Sequence, residues 1–372
     1  MEWFTLQVIW FILVGVVIAG YGILGGYDMG VGSLYLANRS EKERFLMLRS
    51  IGPYWDANQV WLVTAGGGLF AAFPFVFATV FSGFYLAMIL VLFGLIIRTV
   101  SIEFRHQLNS PTWIKVWDAC FGIGSILPSI LLGVAVGNIL RGIPLDAQTN
   151  YAGSFFGLLS PYALLMGVLS LALFTWHGSN YLIAASDAPL KDTARDWGKK
   201  CWVAVLALMV VLTAWTFVES PHLVANFNNL PVLYLLPVIA FAGILSYPLL
   251  AAKMPCFGPL LSSVVAILGM VGTAGASLFP RLVPDLTNAG QYNPAFFGDF
   301  TSAHLISSLT IMNASNSQFT LTVMFIVAAV GVPTVLLYTI YVYSKMGRGP
   351  ALEEPSAAPA PKAKGAGKPK KS

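Results

Sequence analysis

Charge is what this 372-residue chain has least of. Asp, Glu, Lys and Arg make up 10% of it, against about 25% in ordinary soluble domains. So few charges cannot cover the surface of a globule this long, which excludes a soluble multidomain enzyme. Cysteine is scarce too. Cys120, Cys201 and Cys256 are widely scattered, make no CxxC or Cys/His spacing, and read as buried reduced thiols. No metal-ligand set is expected. No nucleic-acid motif occurs. The net charge of +5 owes much to Lys362, Lys364, Lys368, Lys370 and Lys371, all after Gly347. Apolar residues are abundant instead, at 57%, with a mean hydropathy of +0.74. The class implied is an all-α, polytopic integral membrane protein.

Long uncharged runs locate the spans. Trp3 to Tyr27 is enough for one. Residues 57–97 hold no charge, and as helix would be roughly 60 Å long, twice a hydrocarbon core of about 30 Å. Pro74, between two phenylalanines, is the expected turn, giving spans near 57–73 and 79–97. Six more follow at 119–140, 158–183, 201–218, 232–252, 257–279 and 321–343. Basic residues test this count, because short cytoplasmic loops carry the Lys and Arg. With the N-terminus outside, 19 of the 21 fall in the inside segments 38–55, 98–117, 184–200, 253–256 and beyond 344. Only Arg141 and Arg281 remain outside. Dropping one span would invert everything after it. Nine spans, N-out and C-in, are therefore expected. The first reads as retained rather than as a cleaved signal peptide, since Met1-Glu2 offers no basic flank. Residues 1–345 form the membrane domain. Residues 346–372, rich in Ala, Pro, Gly and Lys, read as a disordered cytoplasmic tail. The loop 280–320, with Gln291, Tyr292, Asn293, Phe296, Phe297 and His304, is the longest outside loop. A short cytoplasmic helix is expected within 98–117.

Ionisable residues near membrane segments are the candidates for chemistry, because a charge there is costly unless paired or hydrated. Asp28 sits in Gly25-Gly26-Tyr27-Asp28-Met29-Gly30, where the first span is expected to leave the core. Asp56 sits in Trp55-Asp56-Ala57-Asn58-Gln59, where the second enters. Antiparallel neighbours would bring the two together as a cytoplasmic proton entry, since carboxylates in partly apolar surroundings exchange protons near neutrality. The structural alternatives are helix capping by Asp56 and an interfacial position for Asp28 on a flexible glycine-rich exit. Arg98 ends the third span and would neutralise an anionic group such as a propionate or phospholipid, or else simply anchor the cytoplasmic side. Trp61 either lines a cavity or packs. His177 is the one histidine inside a span. A membrane haem needs two opposed axial side chains, so no haem axial ligand is expected here, and His177 reads as a packing residue. The glycines 66–68, 122/124 and 269/272/275 read as sites of close helix approach.

Several strings resemble subunit II of cytochrome bd-type quinol oxidases. They are Gly-Tyr-Asp-Met-Gly-Val-Gly (26–32), Trp-Asp-Ala-Asn-Gln-Val-Trp-Leu (55–62) and Thr-Ala-Gly-Gly-Gly-Leu-Phe-Ala-Ala-Phe-Pro (64–74). Phe81-Ser82-Gly83-Phe84-Tyr85, Gly133-Val134-Ala135-Val136-Gly137-Asn138, Asn226-Phe227-Asn228-Asn229 and residues 308–314 extend the likeness from about residue 4 to 345. The resemblance implies two four-helix bundles plus a peripheral helix. It implies a complex in the bacterial cytoplasmic membrane that oxidises quinol and reduces dioxygen to water. Haem b and haem d would be ligated by the partner, subunit I. This chain would support the di-haem site and contribute a proton path through Asp56 and Asp28 and an oxygen route near Trp61. A small accessory subunit and membrane lipid are further partners so implied. Some relatives carry a second acid near the end of the first span, where this chain has Gly25. The competing reading is a secondary transporter, for which Pro128 and Pro237 supply helix breaks but no ionisable mid-membrane site is evident.

Overall fold

The computed structural model describes residues 2–286 and 308–346, with side chains through residue 344. The expected tail beyond Met346, and the loop residues Gln291 to His304 singled out above, lie outside the described residues. Among the described residues thirteen α-helices run in the order α1 (Trp3–Tyr35), α2 (Glu41–Ile51), α3 (Trp55–Ala72), α4 (Pro74–Gly83), α5 (Tyr85–Phe104), α6 (Pro111–Arg141), α7 (Pro161–Ala185), α8 (Leu190–Glu219), α9 (Ala225–Asn229), α10 (Leu235–Leu245), α11 (Tyr247–Lys253), α12 (Gly258–Leu278) and α13 (Gln318–Met346). A two-stranded antiparallel ribbon, β1 (Arg281–Val283) and β2 (Leu309–Thr310), pairs Arg281 with Thr310 and Val283 with Leu309.

Seven described helices are long and apolar enough to cross a membrane: α1, α5, α6, α7, α8, α12 and α13. An eighth span results if Pro221–Asn229 and Pro231–Leu245, bent by 119°, count as one. The expected seventh span is thus broken. Within 232–252 the break falls at Ser246, between α10 and α11, and the 119° bend lies just before that span, at Leu230-Pro231, where the proline removes a backbone donor. Eighteen-residue α3 is about 27 Å long but carries Asp56, Asn58, Gln59 and Thr64, which dilute its apolar character.

Several boundaries differ from expectation. α1 does not end at Tyr27 but continues to Tyr35, through the whole Gly25-Gly30 run. The glycines do not fray it, because they are where α7 crosses. A Cβ on Gly30 would strike the Phe174 carbonyl, and one on Gly178 would strike the Gly30 backbone. α5 likewise runs past Arg98 to Phe104. No separate helix forms between α5 and α6. The extra helix is α2, whose N-cap is Ser40, with the Glu43 N–H donating to its Oγ at 3.4 Å. The Ser-x-x-Glu spacing is that of a capping box. Pro74 does mark a break, as the first residue of α4, and Phe84 makes a second before α5. The three cysteines are free but half-buried rather than buried.

α1 is the common neighbour, packing against α3, α6, α7 and α12. α7 also packs against α6 and α8, and α12 against α10. Apolar clusters fill both ends. At the N-terminal end of α1, Leu6, Trp10, Phe73, Phe84, Ile143, Val283 and Leu309 pack together. At the other end, which also carries basic α2, the cluster comprises Tyr27, Val31, Tyr35, Met47, Ile51, Tyr181 and Leu190. Many large apolar side chains face outward, such as Val63 and Phe70 on α3, Phe93 on α5 and Val330 on α13. That is the pattern of helices presented to lipid or to another chain rather than to water.

Candidate functional site

The candidate site lies beside the C-terminal half of α1. Because α1 stays helical past Tyr27, Asp28 is not an interfacial residue on a flexible exit. It is completely buried. Its neighbour on α3 is Asn58, which is also fully buried and donates from Nδ2 to Asp28 Oδ2 at 2.8 Å. Asp56 does not join it. Two residues along a helix turn the side chain by about 200°, so presenting Asn58 to α1 points Asp56 away. Asp56 is exposed in the first turn of α3, where Tyr54 rather than Asp56 is the N-cap. The expected pairing of the two carboxylates is therefore replaced by an acid–amide pair.

A tyrosine group surrounds this pair. Asn58 Nδ2 also donates to Tyr27 Oη at 2.7 Å, and Tyr343 Oη of α13 donates to Asn58 Oδ1 at 3.0 Å. The Tyr27 and Tyr343 hydroxyls bond to each other. Tyr27 stacks on Tyr181 of α7 with ring centroids 4.0 Å apart, and Tyr54 stacks on Tyr343 at 4.3 Å. Tyr181 in turn donates to the Ser50 carbonyl at 2.7 Å. Tyr343 is half-buried, so the polar group begins near the basic end and leads inward to Asp28.

Beyond Asp28 the interior is polar but not saturated. Asp28 Oδ1, Tyr21 Oη, Trp61 Nε1 and all three guanidinium nitrogens of Arg98 are buried without a hydrogen-bond partner among the described residues. Arg98 is not an anchor at the membrane surface. It is fully buried, with Cζ 5.8 Å from the Phe121 ring centroid. It acts electrostatically on both Asp28 and Tyr21, yet no ion pair joins it to Asp28 among the described residues. Asp28 and Arg98 both lie in the last third of their helices, seven residues before the end of α1 and six before the end of α5. Trp61 sits half-buried with its ring against Gly20 of α1, and joins the cluster of Tyr21, Met29 and Phe174. That is the geometry of packing, with one indole N–H left over.

His177 is saturated. Its Nε2 donates to the Ile23 carbonyl at 2.9 Å and its Nδ1 meets Ser263 Oγ at 2.8 Å. His222 Nε2 donates to the Leu140 carbonyl at 3.1 Å. Neither ring belongs to an opposed pair aimed into a shared space, so the described residues do not fit a haem-ligating set. No group of three or more His, Cys, Asp or Glu able to hold a metal ion occurs among them.

A second polar group was not foreseen. At the basic end, Asp118 of α6 accepts from Arg105 Nε at 2.6 Å, from Arg44 Nη1 at 3.0 Å and from Tyr35 Oη at 2.6 Å. Arg105 also pairs with Glu41. This seam ties α1, α2, α5 and α6 together. The charges were visible in the chain, but their convergence is a tertiary fact. Asn58 was equally visible in the Trp-Asp-Ala-Asn-Gln string. A helical wheel from Asp56 would have placed it on the opposite face.

A helical membrane protein with a buried, incompletely satisfied acid–guanidinium interior is the class these features define. The family model for cytochrome bd terminal oxidase subunit II matches residues 6–346, and the chain belongs to that family. It is 35% identical over 371 residues to the probable cytochrome oxidase subunit 2 of Haemophilus influenzae, covering 92% of this chain and 94% of the relative. It is 35% identical to the cytochrome bd-I ubiquinol oxidase subunit 2 of Escherichia coli K12, with the same coverage. The cytochrome bd ubiquinol oxidase subunit 2 of Bacillus subtilis is 32% identical, over 92% and 96% of the two chains. In fold the chain is similar to the bd oxidase from Geobacillus thermodenitrificans, with a TM-score of 0.67, 18% identity, and coverage of 92% and 100%. The chain is thus a subunit of a bacterial, multi-pass membrane oxidoreductase of the cytochrome bd quinol oxidase type, a complex that uses haems and quinol and includes a subunit 1. Family membership decides against the transporter alternative.

Proposed function

We propose that this chain is the non-haem-ligating subunit of a terminal oxidase that oxidises quinol and reduces dioxygen to water, and that it supplies a proton route from the cytoplasm. Subunit I carries haem b and haem d in this reading, and the present chain walls and supports the di-haem site. The observation that carries the proton route is Asp28, a fully buried acid with one oxygen held by Asn58 and the other without a partner among the described residues. A buried ionisable group in a membrane segment is retained where it moves or balances charge. Asp56, exposed at the start of α3, collects protons at the surface. Asp28 is the internal station, and Arg98 balances its charge without pairing to it. A fixed positive charge near an acid holds the anion available to accept a proton, while the separation leaves the acid free to release it. Trp61, beside Gly20, lies on the oxygen route in this reading.

Topology belongs to the same proposal. Nine spans result if α3 and the bent segment around α10 are added to the seven apolar helices, arranged as two four-helix bundles and a peripheral helix. The basic end of α1 then faces the cytoplasm of the inner membrane. Residues 1–345 form the membrane unit, and lipid, subunit I and a small accessory subunit cover its outward apolar faces.

Asp28→Asn in the complete oxidase tests the route. Oxygen consumption with excess quinol is expected to fall about 10²-fold, the scale of a lost proton-transfer group, with the haem spectrum unchanged. Wild-type consumption by an assembled Asp28→Asn complex would remove Asp28 from the route.

A further inference from the structure

The hydrogen bonds around Asn58 have a direction, and that direction is tied to the charge of Asp28. Asn58 Nδ2 has two hydrogens. One goes to Asp28 Oδ2 and the other to Tyr27 Oη. The Tyr343 hydroxyl spends its hydrogen on Asn58 Oδ1. The bond between the two tyrosine hydroxyls must then be donated by Tyr27. The ring is closed: Asn58 to Tyr27, Tyr27 to Tyr343, Tyr343 back to Asn58. Every donor of the ring is used, and the second amide hydrogen goes to Asp28 Oδ2; a protonated Asp28 would add an O–H that finds no acceptor in this direction.

The same atoms allow one other closed arrangement. With the amide turned over, Oδ1 faces Asp28 and Tyr27, and Nδ2 faces Tyr343. Tyr343 donates to Tyr27, Tyr27 donates to Oδ1, and Nδ2 donates to Tyr343. This reversed ring requires a protonated Asp28, because two acceptor oxygens cannot satisfy one another, and it leaves the second Nδ2 hydrogen without an acceptor in the ring. An amide has one acceptor end and one donor end, and burial makes an unsatisfied end costly.

We infer that Asn58, Tyr27 and Tyr343 form a two-state hydrogen-bonded ring, one direction accompanying ionised Asp28 and the reverse accompanying the protonated acid. Asn58 is then the positioning residue of Asp28, and Tyr343 is the contact through which α13 governs it. Asp28 gains or loses its proton as the amide turns, and nothing else in the ring changes composition. The inference rests on the proton-route reading above, which it deepens. The other groups facing this acid are Tyr21 on α1, Arg98 on α5 and Tyr181 on α7, with His177 of α7 edge-on to Tyr27. None of these belongs to the ring.

The two tyrosines are predicted to differ, which a merely structural role would not require. Removing the Tyr343 hydroxyl leaves two further groups unsatisfied in the first direction, Oδ1 and the Tyr27 O–H, but only one further N–H in the reverse. Removing the Tyr27 hydroxyl leaves one further group unsatisfied in either direction. The test is the infrared carboxyl band of Asp28, identified by its loss in Asp28→Asn and titrated with pH in the purified, haem-loaded oxidase. Tyr343→Phe and Asn58→Leu are expected to raise its protonation midpoint by about one pH unit, the scale of one hydrogen bond to a charged group. Tyr27→Phe is expected to move it little. Equal movement in both tyrosine variants, or none in Tyr343→Phe, would overturn the ring. Should Asn58→Leu not assemble, the two tyrosine variants decide. Turnover reports on the route and the carboxyl titration on the ring, so either can fail while the other stands.

Discussion

Asp118 and Asp28 are both buried acids near arginine, and the contrast between them separates scaffold from mechanism. Asp118 is bonded by Arg105, Arg44 and Tyr35, and both of its oxygens are in use. Among the described residues Asp28 has one hydrogen-bond partner, an amide, and its arginine stands off with three unpartnered nitrogens. Full pairing locks a charge in place. Incomplete pairing is unfavourable for stability and is retained where a proton or charge must move. The seam at the basic end therefore reads as structure, and the interior beside α1 as function.

Asp118→Ala should have the largest effect. It leaves Arg105, which is 4% exposed, with only Glu41, itself 62% exposed, to balance it. Removing one partner of a buried pair costs about 3–5 kcal/mol. The melting temperature of the purified complex, or its yield from membranes, should drop sharply. An unchanged melting point would deny the seam its structural role. Asp28→Asn should do the opposite: similar melting, much lower turnover. Asp56→Asn sharpens the contrast within the proposed route, because a solvated surface acid can be replaced by buffer and water. Its turnover should fall by a few-fold at most, and a loss as deep as that of Asp28→Asn would move the critical acid to the surface.

The smallest effect concerns pH, at the far end of the molecule. Burial, with Arg281 nearby, depresses the pKa of His222 from its ordinary 6.5 to about 4. The folded protein therefore holds this ring neutral, while the unfolded chain protonates it below about 6.5. The stability is fully present above 6.5 and is lost as pH falls toward 4. At pH 5.5 the loss is about 1 kcal/mol. His222→Gln, which retains a donor for the Leu140 carbonyl, should flatten melting temperature between pH 7 and 5.5. An equal slope in that variant would assign the pH dependence elsewhere.

How much of this was legible in the chain differs between the same two regions. Charge scarcity and the long uncharged runs place most helices, because the membrane penalty on charge acts on single residues and needs no tertiary knowledge. Helix ends are less legible. The Gly25-Gly30 run reads as a break by propensity, yet the same glycines allow α7 to approach α1 at Gly178, so α1 continues and Asp28 becomes interior. Arg98 was misplaced for the same reason, since a charge at the edge of an apolar run looks like a boundary until the next turn is seen to continue. α2 was announced by Ser40 and Glu43 and overlooked among the basic residues. The Asp118 seam and the Asn58 ring join residues 13 to 316 positions apart, and only packing brings such groups together.

The central claim is that the unsaturated acid moves protons and the saturated one does not. It is tested most directly by proton uptake after an oxygen pulse to the fully reduced, haem-loaded Asp28→Asn oxidase in vesicles. The account predicts that uptake slows together with oxygen reduction while the haem spectrum and melting temperature stay those of the wild type. Uptake at the wild-type rate in that variant would contradict it.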